Sequence, residues 1–260
     1  MLHRFSGGSD GAFPEGGDLV FDQAGNLYGT TLNGGGSSQC QDGCGTVYKL
    51  TRSNGGWTES VIHSFTATGD GQPWAGVIFD QAGSLYGTTD SSGPHGHGAV
   101  YQLVPSGAGW AERVLYSFTG GDDGAYPYGA LIMDQAGNLF GTTCCAGSLG
   151  GGTVFELVRS GNWSFSTLDS FVGGLDGSLA MDIAGNLYGA TMEGGANNFG
   201  SIFKLSPGSG GWAYTDLYDF CVNGWPCSDG AFPTGDVELD TGGNLYGTTV
   251  DGGVVWELTP

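Results

Sequence analysis

The chain has very little positive charge. Six lysines and arginines stand against 26 aspartates and glutamates in 260 residues, a formal net charge of −20. A surface of that sign repels nucleic acid and anionic membranes, so neither is expected as a partner. No uninterrupted run of 18 apolar residues occurs, which excludes a membrane-spanning helix. The opening Met1-Leu-His-Arg-Phe5 lacks the apolar stretch of a signal peptide and reads as a strand, so any targeting segment is expected to lie upstream or to have been removed. No Gly-x-Ser-x-Gly elbow, zinc-protease helix motif, phosphate loop or EF-hand spacing is present, so no motif announces an enzyme class.

Glycine, by contrast, is abundant: 54 residues, with nine prolines. Such a content fits a low-complexity chain. Two features oppose disorder: the glycines recur in register, and 39% of residues are apolar, enough to bury a core. The register comes from a repeat. Asp22-Gln-Ala-Gly-Asn-Leu-Tyr-Gly-Thr-Thr31 returns almost letter for letter from Asp80, Asp134, Asp182 and Asp240. A period of roughly 50–60 residues suits one propeller blade and is too long for a leucine-rich unit.

Each repeat carries four strand signals. A short apolar run such as Asp18-Leu-Val-Phe-Asp22 predicts an innermost strand buried on both faces. An Asp-x-x-Gly turn follows, with glycine suited to a left-handed position. The second strand is Leu-Tyr-Gly-Thr-Thr and the third is Gly-Thr-Val-Tyr-Lys-Leu50 or its equivalent. The fourth runs from a tryptophan to a phenylalanine, as over residues 57–65. The last repeat ends at Pro260 without a fourth strand, and Leu2-His-Arg-Phe5 matches Leu115-Tyr-Ser-Phe118. The sequence therefore predicts an all-β fold, a five-bladed β-propeller with four-stranded blades over residues 1–260. The N-terminal strand is expected to close the ring by pairing residues 2–5 with 254–258, leaving no open edge. The expected state is a monomer.

The units Gly-Asn-Leu-Tyr-Gly-Thr-Thr, Gly-Thr-Val-Tyr-Lys-Leu and Tyr-Ser-Phe-x-Gly-Gly-x-Asp-Gly resemble the bacterial tandem repeats called GloVer repeats, over nearly the whole chain. The resemblance implies an extracytoplasmic repeat protein and brings no catalytic assignment. The fourth repeat departs from the pattern, lacking the proline segment after Asp176-Gly177.

The six cysteines form close pairs: Cys40/Cys44, Cys144/Cys145 and Cys221/Cys227. Local pairing predicts three loop disulfides made in an oxidising compartment, hence a secreted or cell-surface protein. If the apolar strand is innermost, the loops between strands two and three share one rim with those from strand four to the next blade. Every irregular feature falls there, including His95, His97 and Glu193. Variable loops on a rigid scaffold are where binding resides. Aromatics repeated at equivalent positions, such as Tyr28 and Tyr48, are expected to pack blades together. Phe13, Trp74, Tyr126, Tyr128, Trp225 and Phe232 break that register around the prolines. With Asp70 and Asp123 as acceptors, they either form a ligand site, suited to sugar rings or other flat apolar ligands, or simply cover the ends of the blades.

The aspartate before glycine in each rim loop has a turn-capping role as its first reading and calcium as its second. Asp18, Asp236 and Glu238 are the non-repeating acids of the innermost strands and are expected to gather at one mouth of the channel. They could simply line a water-filled channel, or hold a cation, calcium being the cofactor considered. They could also act as the acid pair of a glycoside hydrolase or polysaccharide lyase on an extracellular polysaccharide. His95-Gly-His97 has no third ligand near it in sequence. The preferred reading is a non-catalytic, carbohydrate-binding secreted propeller, with the enzyme and a purely structural repeat module as alternatives.

Overall fold

The computed structural model describes residues 1–14, 17–53, 55–66, 71–91, 93–107 and 109–260. Among them are 19 strands, and no helix is present. None of the described residues forms a helix long and apolar enough to cross a membrane. The fold class is a five-bladed β-propeller, each repeat forming one antiparallel sheet. The chain divides into two compact units, residues 1–119 and 120–260.

The first unit holds two sheets. One has the order β1 (Val20–Phe21), β2 (Leu27–Thr31), β3 (Thr46–Ser53), β4 (Gly56–Ser64). The other has β5 (Ile78–Phe79), β6 (Leu85–Thr89), β7 (Ala99–Ser106), β8 (Gly109–Ser117). The second unit repeats the plan with β9 (Ile132–Met133), β10 (Leu139–Thr143), β11 (Thr153–Ser160) and β12 (Asn162–Ser170). It does so again with β13 (Ala180–Met181), β14 (Leu187–Thr191), β15 (Ser201–Gly208) and β16 (Gly211–Asp219). It closes with β17 (Ala231–Leu239), β18 (Leu245–Asp251) and β19 (Val255–Leu258).

The repeated residues explain the repeated sheet. The glycine of Leu-Tyr-Gly-Thr-Thr faces the aromatic residue of the third strand, as Gly87 faces Tyr101. A Cβ on Gly87 would lie 2.5 Å from the Tyr101 hydroxyl. The missing side chain thus lets the ring lie flat across its neighbour. Those rings build the core. Tyr48, Tyr101, Phe155 and Phe203 are buried, and so are Tyr28, Tyr86, Phe140 and Tyr188. A register shift recurs between strands three and four, at Val47/Tyr48, Val100/Tyr101, Val154/Phe155 and Ile202/Phe203. Such a bulge raises local twist in the same place in these four blades.

One expectation needs correction. The innermost ladders are only two residues long in four of the sheets, and they are not buried on both faces: Phe21 is 65% exposed. In three of them burial falls instead on the residue just before the ladder, Val77, Leu131 and Leu179, and in the fifth sheet on Val237 within β17, while Leu19 before β1 is exposed. The fifth sheet has three strands, and residues 1–6 form none. The pairing of residues 2–5 with residues 254–258 is therefore not among the ladders. Within the first unit, however, Phe5 does what a fourth-strand phenylalanine does. Its ring lies 4.8 Å from Tyr48, as Phe65 lies 5.0 Å from Tyr101, and His3 meets Phe5 edge-on as His63 meets Phe65. The match in packing follows from the match in sequence, Leu-His-Arg-Phe against Ile62-His-Ser-Phe65.

Candidate ligand-binding site

The Asp-x-x-Gly turns are structural. Asp22 accepts hydrogen bonds from the amides of Ala24 and Asn26, the Asn26 side chain at 2.7 Å and the Tyr28 hydroxyl at 3.1 Å. Asp182 and Asp240 repeat the set. Burial opposes the charge on Asp182, but the donors of Asn186, Tyr188 and Ala184 together hold its carboxyl below the usual carboxylate range. The same bond, added to burial, pushes the Tyr188 hydroxyl up to about 12. A carboxylate with that many donors is committed to its turn.

The rim loops are built differently. Phe13, Gln72, Tyr126 and Phe232 each precede a proline and each has a positive φ, between 55° and 60°. Bulky residues rarely adopt that conformation, and they hold it only where surrounding contacts enforce it. The contacts are visible: the carbonyls of Phe13, Gln72 and Tyr126 accept the amides of Leu32, Asp90 and Cys144. The following proline packs on the glycine that opens the previous third strand, as Pro73 does on Gly45 and Pro233 on Gly200. In the fourth repeat, which lacks the proline, Gly174 accepts from Met192.

The residues singled out in the sequence have mixed fates. Phe13 (57% exposed) and Trp74 (39%) are open in the first unit, and Asp70 lies outside the described residues. In the second unit Tyr126 and Tyr128 are half-buried, and Asp123 is buried and accepts the Gly121 amide, a turn role. Asp18 belongs to the first unit, Asp236 and Glu238 to the second. Asp236 accepts the Ser178 amide at 2.7 Å, and Glu238 is exposed on β17. Among the described residues no group of three or more His, Cys, Asp or Glu is placed to hold a metal ion. The three expected disulfides, Cys40–Cys44, Cys144–Cys145 and Cys221–Cys227, are all formed. Disulfides of this kind point to an extracytoplasmic location.

Trp225 and Phe232 are brought together by a residue the sequence reading missed. Phe199 stacks on Trp225 at 6.3 Å with 25° between the rings, and meets Phe232 at 5.6 Å. Trp225 remains 66% exposed. The platform is held from several sides. The Cys221–Cys227 bond closes the loop that carries Trp225. The Phe232 amide donates to the Phe199 carbonyl at 2.8 Å. The Asn197 side chain donates to the Phe220 carbonyl. Asp229, two residues past the disulfide, accepts from the Tyr218 hydroxyl at 2.8 Å and from the Val222 amide. Phe199 has no equivalent in the other repeats, and the only sign of it in the sequence was a large apolar side chain just before the glycine that starts a third strand.

The loop of residues 193–200 also borders a cavity of about 340 Å³ lined by Asp169, Phe171, Glu193, Ser201 and Tyr214 among others. Burial, and then the Glu193 carboxylate, push the neighbouring Asp176 carboxyl up. Burial, followed by Asp219, does the same to Asp216. Asp219 also accepts the Ala196 amide, which pins the loop.

The Gloeobacter/Verrucomicrobia repeat matches residues 36–256. No curated protein matches the chain in sequence. Among solved structures, a protein of unknown function from Dyadobacter fermentans is similar at 13% identity, covering 95% of this chain and 92% of that one, with a TM-score of 0.50. A putative 6-phosphogluconolactonase from Bacteroides uniformis is similar at 15% identity, with 96% and 73% covered and a TM-score of 0.60. At such identities the likeness is one of fold.

Proposed function

Because this chain belongs to the Gloeobacter/Verrucomicrobia repeat family, which brings no reaction with it, we propose a function from its own surface: a secreted, non-catalytic propeller that binds carbohydrate on its loop-rich side. The observation that carries this is the Trp225–Phe199–Phe232 cluster, an exposed indole stacked on Phe199, which in turn meets Phe232 at a tilt. A flat aromatic face held rigid offers a sugar ring a large apolar contact without loss of side-chain freedom on binding. Phe13 and Trp74 offer further exposed rings in the first unit.

Less supports catalysis by Asp18, Asp236 and Glu238, since Asp236 already serves the Ser178 amide. A glycan array, run with and without calcium, tests the proposal. The expected outcome is binding to a defined set of oligosaccharides with no new reducing ends over time. Release of fragments from a bound polymer would transfer the case to the enzyme reading. An array with no bound glycan would remove carbohydrate as the ligand.

A further inference from the structure

The cavity beside residues 193–200 combines two kinds of chemistry. Its lip is apolar: Leu149 (58% exposed), Val172 (71%) and Tyr214 (46%) all line it. Exposed apolar side chains gathered around one concavity mark a ligand site, whereas scattered ones do not. The Tyr214 ring is oriented by Phe203, stacked at 6.3 Å, and by Phe171, edge-on at 6.0 Å. The charged lining is acidic, from Asp169, one of whose oxygens accepts the Ser170 amide at 2.9 Å, and Glu193, and the other polar residues are Ser170, Thr191 and Ser201. Asp176 stands close enough to Glu193 to feel its charge. No lysine or arginine is among the lining residues. Beyond Thr119 the only basic residues are Arg159 and Lys204, and the Lys204 ammonium lies 5.5 Å over the Tyr188 ring. Negative charge with no cation in the lining among the described residues, facing an aromatic wall, favours a ligand that has an apolar face and carries a positive charge.

We propose that this cavity binds an amine-bearing sugar ring, with the ring against Tyr214 and Val172 and the ammonium group facing Asp169 and Glu193. The proposal rests on the carbohydrate reading of the adjacent Trp225 platform, with which the cavity shares a loop: Glu193, Gly194 and Gly195 line the cavity, and Phe199 belongs to the stack. It adds a selectivity that the platform alone lacks. A uronate would bring a third carboxylate into a space that offers it no counter-charge, and is excluded.

The test is calorimetric titration of the full chain with three tetramers, of glucosamine, N-acetylglucosamine and galacturonate, at one ionic strength and at a pH where the amine is protonated. The glucosamine tetramer is expected to bind about tenfold more tightly than its acetylated form at low salt, and the galacturonate tetramer not to bind. In the Asp169→Asn/Glu193→Gln double variant, with an unchanged melting temperature, that preference should disappear. Equal affinity for the first two tetramers overturns the proposal, as does failure of the glucosamine tetramer to bind. So does a preference that survives the double variant, which would reflect net charge alone. Trp225→Ala separates the two readings. It should weaken both neutral and amine-bearing tetramers by the same factor, leaving their ratio intact. If it changes neither while the preference and its loss persist, the platform reading fails and the cavity stands.

Discussion

At the scale of single residues, the repeats serve as one another's controls. Thr31 faces Thr46, Thr143 faces Thr153 and Thr191 faces Ser201, each pair sharing a buried hydroxyl–hydroxyl hydrogen bond of 2.8–3.0 Å. In the second repeat the partner is Ala99, and the Thr89 hydroxyl is buried without a hydrogen-bond partner. Ala99→Ser should therefore stabilise the protein by about 0.5–1.5 kcal/mol, read as a raised denaturant midpoint with an unchanged slope. No gain would mean that the serine hydroxyl turns elsewhere or that the site is too tight for it. The turn aspartates give the opposite prediction. Asp182→Ala removes four bonds to a charged acceptor and should cost about 2 kcal/mol, whereas Asp182→Asn keeps part of the geometry and should cost less. These roles were legible in the sequence because they recur: a residue type that returns with its partner at fixed spacing states a local hydrogen bond. Phe199 was not legible, since its ring partners come from the loop of residues 221–227 and the start of β17, and its position does not recur.

At the scale of elements, strand order and turn positions could be read from the motif, but ladder lengths could not. An apolar run such as Leu19-Val-Phe21 has the same spelling whether it makes two ladder pairs or five, and here strand β1 pairs only Val20 and Phe21. The fourth strands fall within a residue of expectation because tryptophan and phenylalanine mark their ends. The loop of residues 221–227 is the element on which the platform depends. Its disulfide closes a short ring and is worth about 2 kcal/mol in the chain-entropy model. Replacing both Cys221 and Cys227 by serine should lower stability by no more than that, yet weaken glycan binding clearly, because Trp225 loses its fixed position. Binding unchanged in the serine variant would show that Phe199 and Phe232 suffice to hold the indole.

At the scale of the whole molecule, carboxylates dominate and pull in two directions. Asp22, Asp182 and Asp240 are held below their ordinary value, by hydrogen bonds that outweigh burial where burial opposes them. Their contribution is present above the unfolded-state pKa and is lost as pH falls through the folded one. Asp90, Asp176, Asp216, Glu59 and Glu156 are raised, with burial the main cause in each. For these the folded state holds its proton longer, so stability falls as pH climbs from the unfolded value through the raised one. The two groups meet near the ordinary carboxylate pKa of about 4. Self-repulsion at a net charge of −20 adds to the loss at higher pH. The melting temperature is expected to peak at about pH 4–5 and to be lower at pH 8, more so at low salt. A maximum at neutral pH would mean that the raised carboxylates matter little to folding.

The central claim is that an exposed aromatic platform on the loop-rich side binds carbohydrate, and one titration addresses it most directly. An oligosaccharide that the parent protein binds is titrated into the parent and into Trp225→Ala, with the melting temperature of both recorded. Trp225 is 66% exposed, so its loss should leave folding almost unchanged. Affinity is expected to fall by about 1–3 kcal/mol, roughly five- to 150-fold. Equal affinity in the two proteins, at equal melting temperature, would contradict the account.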